Sequence, residues 1–259
     1  MIYLDVFGRL GNNLFQLFAA RSLNPAAEIR LIYHKVRGYQ PDFGGQLDSY
    51  GSKVQAIAPT QVLRHVPRYI NYDKGYIPIP LTDGIHLSGY FQSYKYLDRQ
   101  LVLEHFRQEE SAEAALLSKY GLVQPYSFMS VRRGDFLEEG LSCFFNLCDL
   151  DYYMEALEAL SPHGQIAVCS DDIEWCKAVF KHRQFVFIDR STPLEQLFVM
   201  SMASAGICAN STFSWWGAYL MRNPDKVIVP DVWVHYDASD QWKAKDMCPP
   251  EWLVINNIK

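Results

Sequence analysis

The chain has 259 residues, 49% of them hydrophobic and 20% charged, with a net charge of −5. That length holds one large domain or two small ones, each with its own core. A mildly acidic chain lacks the global basic field that non-specific nucleic-acid binding needs, so any anionic ligand must meet a local cluster of positive charge.

Taken in order, Ile2–Phe7 reads as a core strand. The chain start shows no basic leader and no apolar stretch long enough for a signal peptide or membrane anchor. No integral membrane segment and a cytoplasmic location are therefore expected. A turn rich in Gly and Asn, Gly8 to Asn13, leads to a helix from about Leu14 to Leu23, with Leu14, Leu17, Phe18 and Arg21 on one face. Glu28–Tyr33 is predicted as a strand. Val36 to Pro80 has weak periodicity and predicts loops and short helices. His86–Phe91 follows as a strand and Tyr94–Phe106 as a helix.

The second half alternates more plainly. Ser127–Val131 is a strand, Asp149–Leu160 a helix and Ile166–Cys169 a strand. Asp171 is expected to cap a helix running to Phe180, with Glu174 completing a capping box. Phe185–Ile188 is a strand. Thr192-Pro193-Leu194-Glu195 is a second capping box, with proline at the first helical position. Gly206–Ala209, Phe213–Met221 and Val227–Pro230 read as strand, helix and last strand. Short alternating strands and helices imply an α/β fold with parallel sheets covered on both faces. The change in pattern near Gly121–Pro125 divides the chain into 1–122 and 123–259.

Parallel sheets bind ligands beyond the carboxyl ends of their strands. Arg132-Arg133-Gly134-Asp135 leaves such an end, and guanidinium groups match diphosphate geometry. The competing explanation is a surface ion-pair cluster. Asn210-Ser211-Thr212-Phe213-Ser214 joins a strand to a helix whose free N–H groups favour an anion, although an ordinary cap would look the same. Ser170-Asp171-Asp172 offers acceptors for a guanine edge or a ribose, although a capping Asp explains one carboxylate. Asp149-Leu150-Asp151 has the acidity of a divalent-cation motif, against which stands the macrodipole's preference for acids at a helix start. The six cysteines form no C-x-x-C pair and read as reduced, packed thiols.

Five segments together resemble the α-1,2-fucosyltransferases, glycosyltransferase family 11. They are Gly8 to Gln16, Gly89 to Tyr96, Arg132 to Asp135, Ser170 to Lys177, and Asn210 to Ala218. The resemblance implies a GT-B-like fold of two facing Rossmann-like domains, the first on the acceptor side and the second binding GDP-fucose. It implies inverting transfer of L-fucose to a galactose hydroxyl of a glycan acceptor, with no cofactor and no metal. By position, Arg132 would contact the β-phosphate and Arg133 would support it. Asp171 and Asp172 would lie near the guanosine. Ser211, Thr212 and Ser214 would line the diphosphate. Ser170, Asp135, Asn210 and Phe213 belong to the same donor-binding segments. Asn12 would reach across from the first domain as a second catalytic residue, with Gln92 and Tyr94 on the acceptor side. The chain departs from the family pattern at Ser130, where histidine is usual, and at Asn13, where glutamine is usual.

Two rivals make different use of the same residues. One is a metal-dependent sugar transferase built on Asp149 and Asp151. The other is a carbohydrate-binding module that stacks sugars on Trp215 and Trp216. No general base is legible, and Asp135, Glu138 and Glu139 are candidates only by closeness in sequence.

Overall fold

The computed structural model describes residues 1–34, 53–62, 65–72, 75–80, 82, 84–137, 146–237 and 240–257. Two compact units emerge, Met1–His105 and Phe106–Lys259.

In the N-terminal unit, β1 (Ile2–Val6), α1 (Leu10–Leu23), β2 (Ile29–Tyr33), β3 (Val54–Ile57), β4 (Arg68–Asn71), β5 (Ile85–Gly89) and α2 (Arg99–His105) follow one another. The strands form one sheet in the order β3-β2-β1-β5-β4, and every neighbouring pair is parallel. Leu4 lies in register with Leu31 and Leu87, and all three are fully buried. The expected helix starts earlier than predicted. It begins at Leu10, so the Gly8–Asn13 turn supplies its first residues. The expected helix Tyr94–Phe106 is two pieces, a 3-10 turn at Tyr94–Tyr96 and α2. Within Val36–Pro80 the described residues include two strands, β3 and β4, where loops and helices were expected.

The C-terminal unit runs α3 (Glu110–Tyr120), β6 (Ser127–Val131), α4 (Leu150–Leu160), β7 (Ile166–Ser170), α5 (Ile173–Val179), β8 (Phe185–Phe187), α6 (Pro193–Ser201), β9 (Ala205–Ile207), α7 (Thr212–Tyr219) and β10 (Lys226–Pro230). A hairpin of β11 (Val232–Asp237) and β12 (Asp240–Lys243), the short α8 (Ala244–Met247) and β13 (Leu253–Ile255) complete it. Six strands form a parallel sheet in the order β13-β10-β9-β6-β7-β8. β6 sits inside this sheet and is buried along its whole length. Met129, Val131, Val168, Ile207 and Ile228 pack under Tyr152, Tyr153 and Ala156 of α4. The two units meet in the chain at 105/106, and within the second α3 packs on α6, with Lys119 paired to Glu195.

Helix ends follow side-chain chemistry. Thr192 and Glu195 form the expected capping box, exchanging bonds of 3.1 and 2.8 Å with each other's backbone N–H. The cap of α5 is Asp172, not the expected Asp171. Its carboxylate accepts from the Trp175 N–H at 3.3 Å, and its own N–H donates to Ser170 Oγ at 2.9 Å. Asp171 is drawn instead to the arginines that leave the neighbouring strand. Five described cysteines are free and buried, and burial pushes the Cys176 thiol up to about 11. Cys143 lies outside the described residues. Among the described residues no helix is long and apolar enough to cross a membrane.

Two stability measurements test this packing. Gly217 brings α7 against α6, and a Cβ there would meet Met200 Cβ at 2.7 Å. Gly217→Ala is expected to lower unfolding free energy by ~1–3 kcal/mol in urea titration, the usual cost of overpacking. Asp172→Ala should lose ~1 kcal/mol with the cap, and Asp172→Ser, which can still cap, should regain most of it. Equal stability of the two Asp172 variants would show that the cap is not what this carboxylate contributes.

Candidate active site

In the C-terminal unit the chemistry collects where β6 and β7 end. Val131 and Ser170 are register partners, so the next residues, Arg132 and Asp171, emerge side by side. Arg132 donates through one terminal nitrogen to Asp171 and through the other to Asp135. The Arg133 N–H donates to Asp171 Oδ1 at 2.9 Å, and its Nε to Asp172 Oδ2 at 3.1 Å. The Arg133 guanidinium lies 4.0 Å from the ring centre of Trp175, and that of Arg132 lies 5.2 Å from Phe136. A Cβ at Gly134 would collide with the Asp171 carboxylate, so only glycine lets this turn close over it. Thus the structure brings together Arg132, Arg133, Asp135, Ser170, Asp171 and Asp172. It does so without surplus positive charge, since two guanidiniums face three carboxylates. What these contacts provide is orientation: two of Arg132's five N–H donors are tied to carboxylates, which fixes the plane of the rest.

The β9–α7 connection divides its polar residues between two tasks. Asn210 is 4% exposed and donates to the carbonyls of Asn146, at 2.7 Å, and Trp233, at 3.1 Å. Ser214 is fully buried, its hydroxyl shared between the carbonyls of Ala209 and Ser211. These two shape the loop from inside. Ser211 caps α7 through the Phe213 N–H at 3.3 Å, and Ser211, Thr212 and Phe213 are half-buried at the edge. Trp215 and Trp216 are both fully buried, packed on each other and on Tyr219. Neither offers a ring face to a sugar, which removes the carbohydrate-binding rival that needs them. Asp149 is the cap of α4, accepting from the Tyr152 N–H at 2.9 Å. Ser130 is buried within β6. Residues 138 and 139 lie outside the described set.

In the N-terminal unit a second polar edge lies beyond β1. Gly8 has φ +90°, and a Cβ there would sit 2.6 Å from Asn12 Nδ2. Asn12 Oδ1 accepts from Gln92 Nε2 at 2.9 Å, which joins the predicted catalytic asparagine to the predicted acceptor-side glutamine. Tyr94 is half-buried at the start of the 3-10 turn. Asn13 is buried and donates to the Phe7 carbonyl at 3.0 Å and to Gln16, which in turn donates to the Gly89 carbonyl at 3.1 Å. Position 13 therefore braces the loop.

Two features escaped the sequence reading. One is the stack of Trp175 on Arg133, three residues beyond an aspartate already singled out. The other is Asp5, 3% exposed in the middle of β1. Its Oδ1 accepts from His34 Nε2 at 3.0 Å and His86 Nε2 at 2.9 Å. Its Oδ2 accepts from Ser88 at 2.6 Å and Arg68 at 3.1 Å. Burial alone would raise the pKa of this carboxyl. The hydrogen bonds from His86, Ser88 and His34 outweigh burial and hold it well below the usual carboxylate range. The available signal was an acid inside an otherwise apolar strand.

The chain is similar to several known proteins. An "Alpha-1,2-colitosyltransferase" of Escherichia coli is 27% identical over 285 residues, covering 96% of each chain. A "Galactoside 2-alpha-L-fucosyltransferase" of Caenorhabditis elegans is 27% identical over 187 residues, covering 63% of this chain and 50% of that one. The solved E. coli ADP-heptose LPS heptosyltransferase II superposes with a TM-score of 0.51 at 12% identity, covering 98% of this chain and 90% of the other, and so shares the fold. The model of "Glycosyl transferase family 11" matches residues 72–256, a span that takes in the arginine cluster, the β9–α7 connection and Gln92. This chain, two parallel-sheet α/β units of GT-B type, belongs to glycosyl transferase family 11.

Proposed function

We propose that this protein transfers L-fucose from GDP-fucose to a galactose hydroxyl of a glycan acceptor, inverting the sugar carbon to give an α-1,2 linkage, in the cytoplasm and without a bound metal. The observation that carries this reading is Arg132, fixed between Asp135 and Asp171 at the end of β6. When the sugar carbon leaves its phosphate, negative charge grows on the diphosphate. A guanidinium already held in one plane meets that charge without reorganising, and one such donor is worth ~3 kcal/mol. Arg133, braced on Trp175, and the positive end of the α7 dipole supply further positive potential. Asn12 and Gln92 give the N-terminal unit a polar pair suited to a sugar hydroxyl. The names of the E. coli and C. elegans relatives both specify a 2-linked α transfer. They differ in the sugar, so a colitose donor is the second reading.

Incubation with GDP-fucose or GDP-colitose and a panel of galactosides, followed by linkage analysis, separates the two donors. With the preferred donor, Arg132→Ala is expected to cut kcat by roughly 10²–10³-fold while the protein stays folded. Arg132→Lys should recover little, because a point charge does not reproduce the planar fork. Near-normal turnover of Arg132→Ala would sink the assignment. Transfer should survive EDTA. Activity lost to EDTA and regained with a divalent cation would instead favour the rival built on Asp149 and Asp151.

A further inference from the structure

Arg132 and Arg133 leave the same strand end but are held in different ways. Arg132 spends both terminal nitrogens on carboxylates, those of Asp171 and Asp135. Arg133 spends its main-chain N–H on Asp171 Oδ1 and its Nε on Asp172 Oδ2. Among the described residues nothing accepts from its Nη1 or Nη2. The outer edge of Arg133 therefore keeps a fork of N–H donors, the geometry that grips two oxygens of one phosphate. A single bond through Nε does not fix the plane of that fork, because the group can still tilt about it.

Trp175 supplies the second constraint. The central carbon of the Arg133 guanidinium stands over its ring, 4.0 Å from the ring centre. One carboxylate sets both partners: Asp172 Oδ1 accepts from the Trp175 N–H at 3.3 Å, and Asp172 Oδ2 accepts from Arg133 Nε at 3.1 Å. The start of α5 thus places an acceptor and an aromatic face around one guanidinium. Core packing accounts for only part of Trp175, which is half-buried and meets the Phe180 ring at 5.9 Å. A snorkelling arginine would cover a ring with its methylenes, whereas here the charged end itself lies on it. The choice of an aromatic has a chemical consequence. A further carboxylate would consume N–H donors of Arg133 and cancel its charge, where three carboxylates already face two guanidiniums. A ring face holds the group and does neither.

Resting on the reading that this edge holds the donor diphosphate, we propose that Trp175 is a positioning residue of the transfer, whose ring holds the Arg133 guanidinium with its terminal donors turned to the phosphate oxygens. Trp175 touches no reacting atom. When the bond from the sugar carbon to the β-phosphate oxygen breaks, the electron pair stays on that oxygen, and a guanidinium held in place meets the new charge. Released GDP carries the charge that the sugar bond conceals in the intact donor. Loss of the ring should therefore show in kcat and in GDP affinity more than in KM for the donor.

The test is a double-mutant cycle on the full chain, read by kcat with the preferred donor and by GDP affinity in calorimetry, with folding checked by melting curves. Trp175→Leu stays apolar but has no ring face, and it should lose roughly 3–30-fold in both readings. Trp175→Phe keeps a ring face and should regain most of that loss. In an Arg133→Ala background Trp175→Leu should cost almost nothing more, because a residue that acts through Arg133 has nothing left to position. A Trp175 that served only the core would cost the same in either background. An equal cost in both backgrounds overturns the proposal. So does a loss in Trp175→Leu of less than about threefold, or a Trp175→Phe no better than Trp175→Leu. Should Trp175→Leu not fold, Trp175→Met carries the same cycle, and if neither folds while Arg133→Ala does, the ring serves the core and the proposal fails. In each of those outcomes the wild type still transfers sugar, so the functional reading survives. A folded wild type that neither binds GDP nor transfers from a GDP-sugar overturns both.

Discussion

A parallel strand covered on both faces has almost no room for a polar side chain, and that constraint decides where the chemistry of this chain lies. β1 and β6 are buried from end to end, and the backbone groups of both are spent on parallel neighbours. Charged residues are therefore expelled to the strand ends, and in a parallel sheet all carboxyl ends share one edge. Register then chooses the partners. Because Val131 lies beside Ser170, Arg132 meets Asp171 without any long-range loop having to find it. The pairing of the arginines with the aspartates is thus a consequence of the strand ladder.

This explains what was legible in the sequence. β6 stands out because its apolar run stops abruptly at Arg132, and Thr192-Pro193-Leu194-Glu195 is readable because a capping box is closed within four residues. Local chemistry was misleading where a contact distant in sequence competed with it. Asp171 has the right spacing to cap α5, but the arginines of the adjacent strand hold it, and Asp172 takes the cap. The start of α1 was hidden because Gly11, Asn12 and Asn13 are poor helix formers. Arg9 caps nothing there, and the turn is held instead by Asn13 and Gln16 reaching back to Phe7 and across to Gly89. α3 escaped notice because none of its residues is fully buried, so it has no apolar face to recognise.

The candidate site shows the same division. Residue type singles out the segments, but it does not say which side chains turn outward. Asn210 and Ser214 look like ligand-binding residues, yet their side chains donate to backbone carbonyls of their own surroundings, as Asn13 does in the first unit. A buried backbone carbonyl in a tight loop requires a donor, and a short polar side chain nearby is the cheapest source. Asp5 is the reverse case, a charge inside a core strand that can persist there only with several donors around it. Its partners lie 29 to 83 residues away in sequence, so no local pattern could have assembled them.

The balance of charge around Arg132 and Arg133 bears on how such a site works. Three carboxylates against two guanidiniums make a poor trap for an anion in its ground state. They make a good frame for one whose charge is still growing. A free arginine carries about 2 kcal/mol of rotamer entropy that must be lost when it engages a ligand. Here Asp135, Asp171 and Asp172 have removed that freedom during folding. Interactions that strengthen only as charge develops raise kcat, whereas tight binding of the intact donor would only lower KM. On the proposed reading, a frame of this kind gives up some donor affinity in exchange for a guanidinium that is already in place when negative charge grows on the leaving phosphate oxygen.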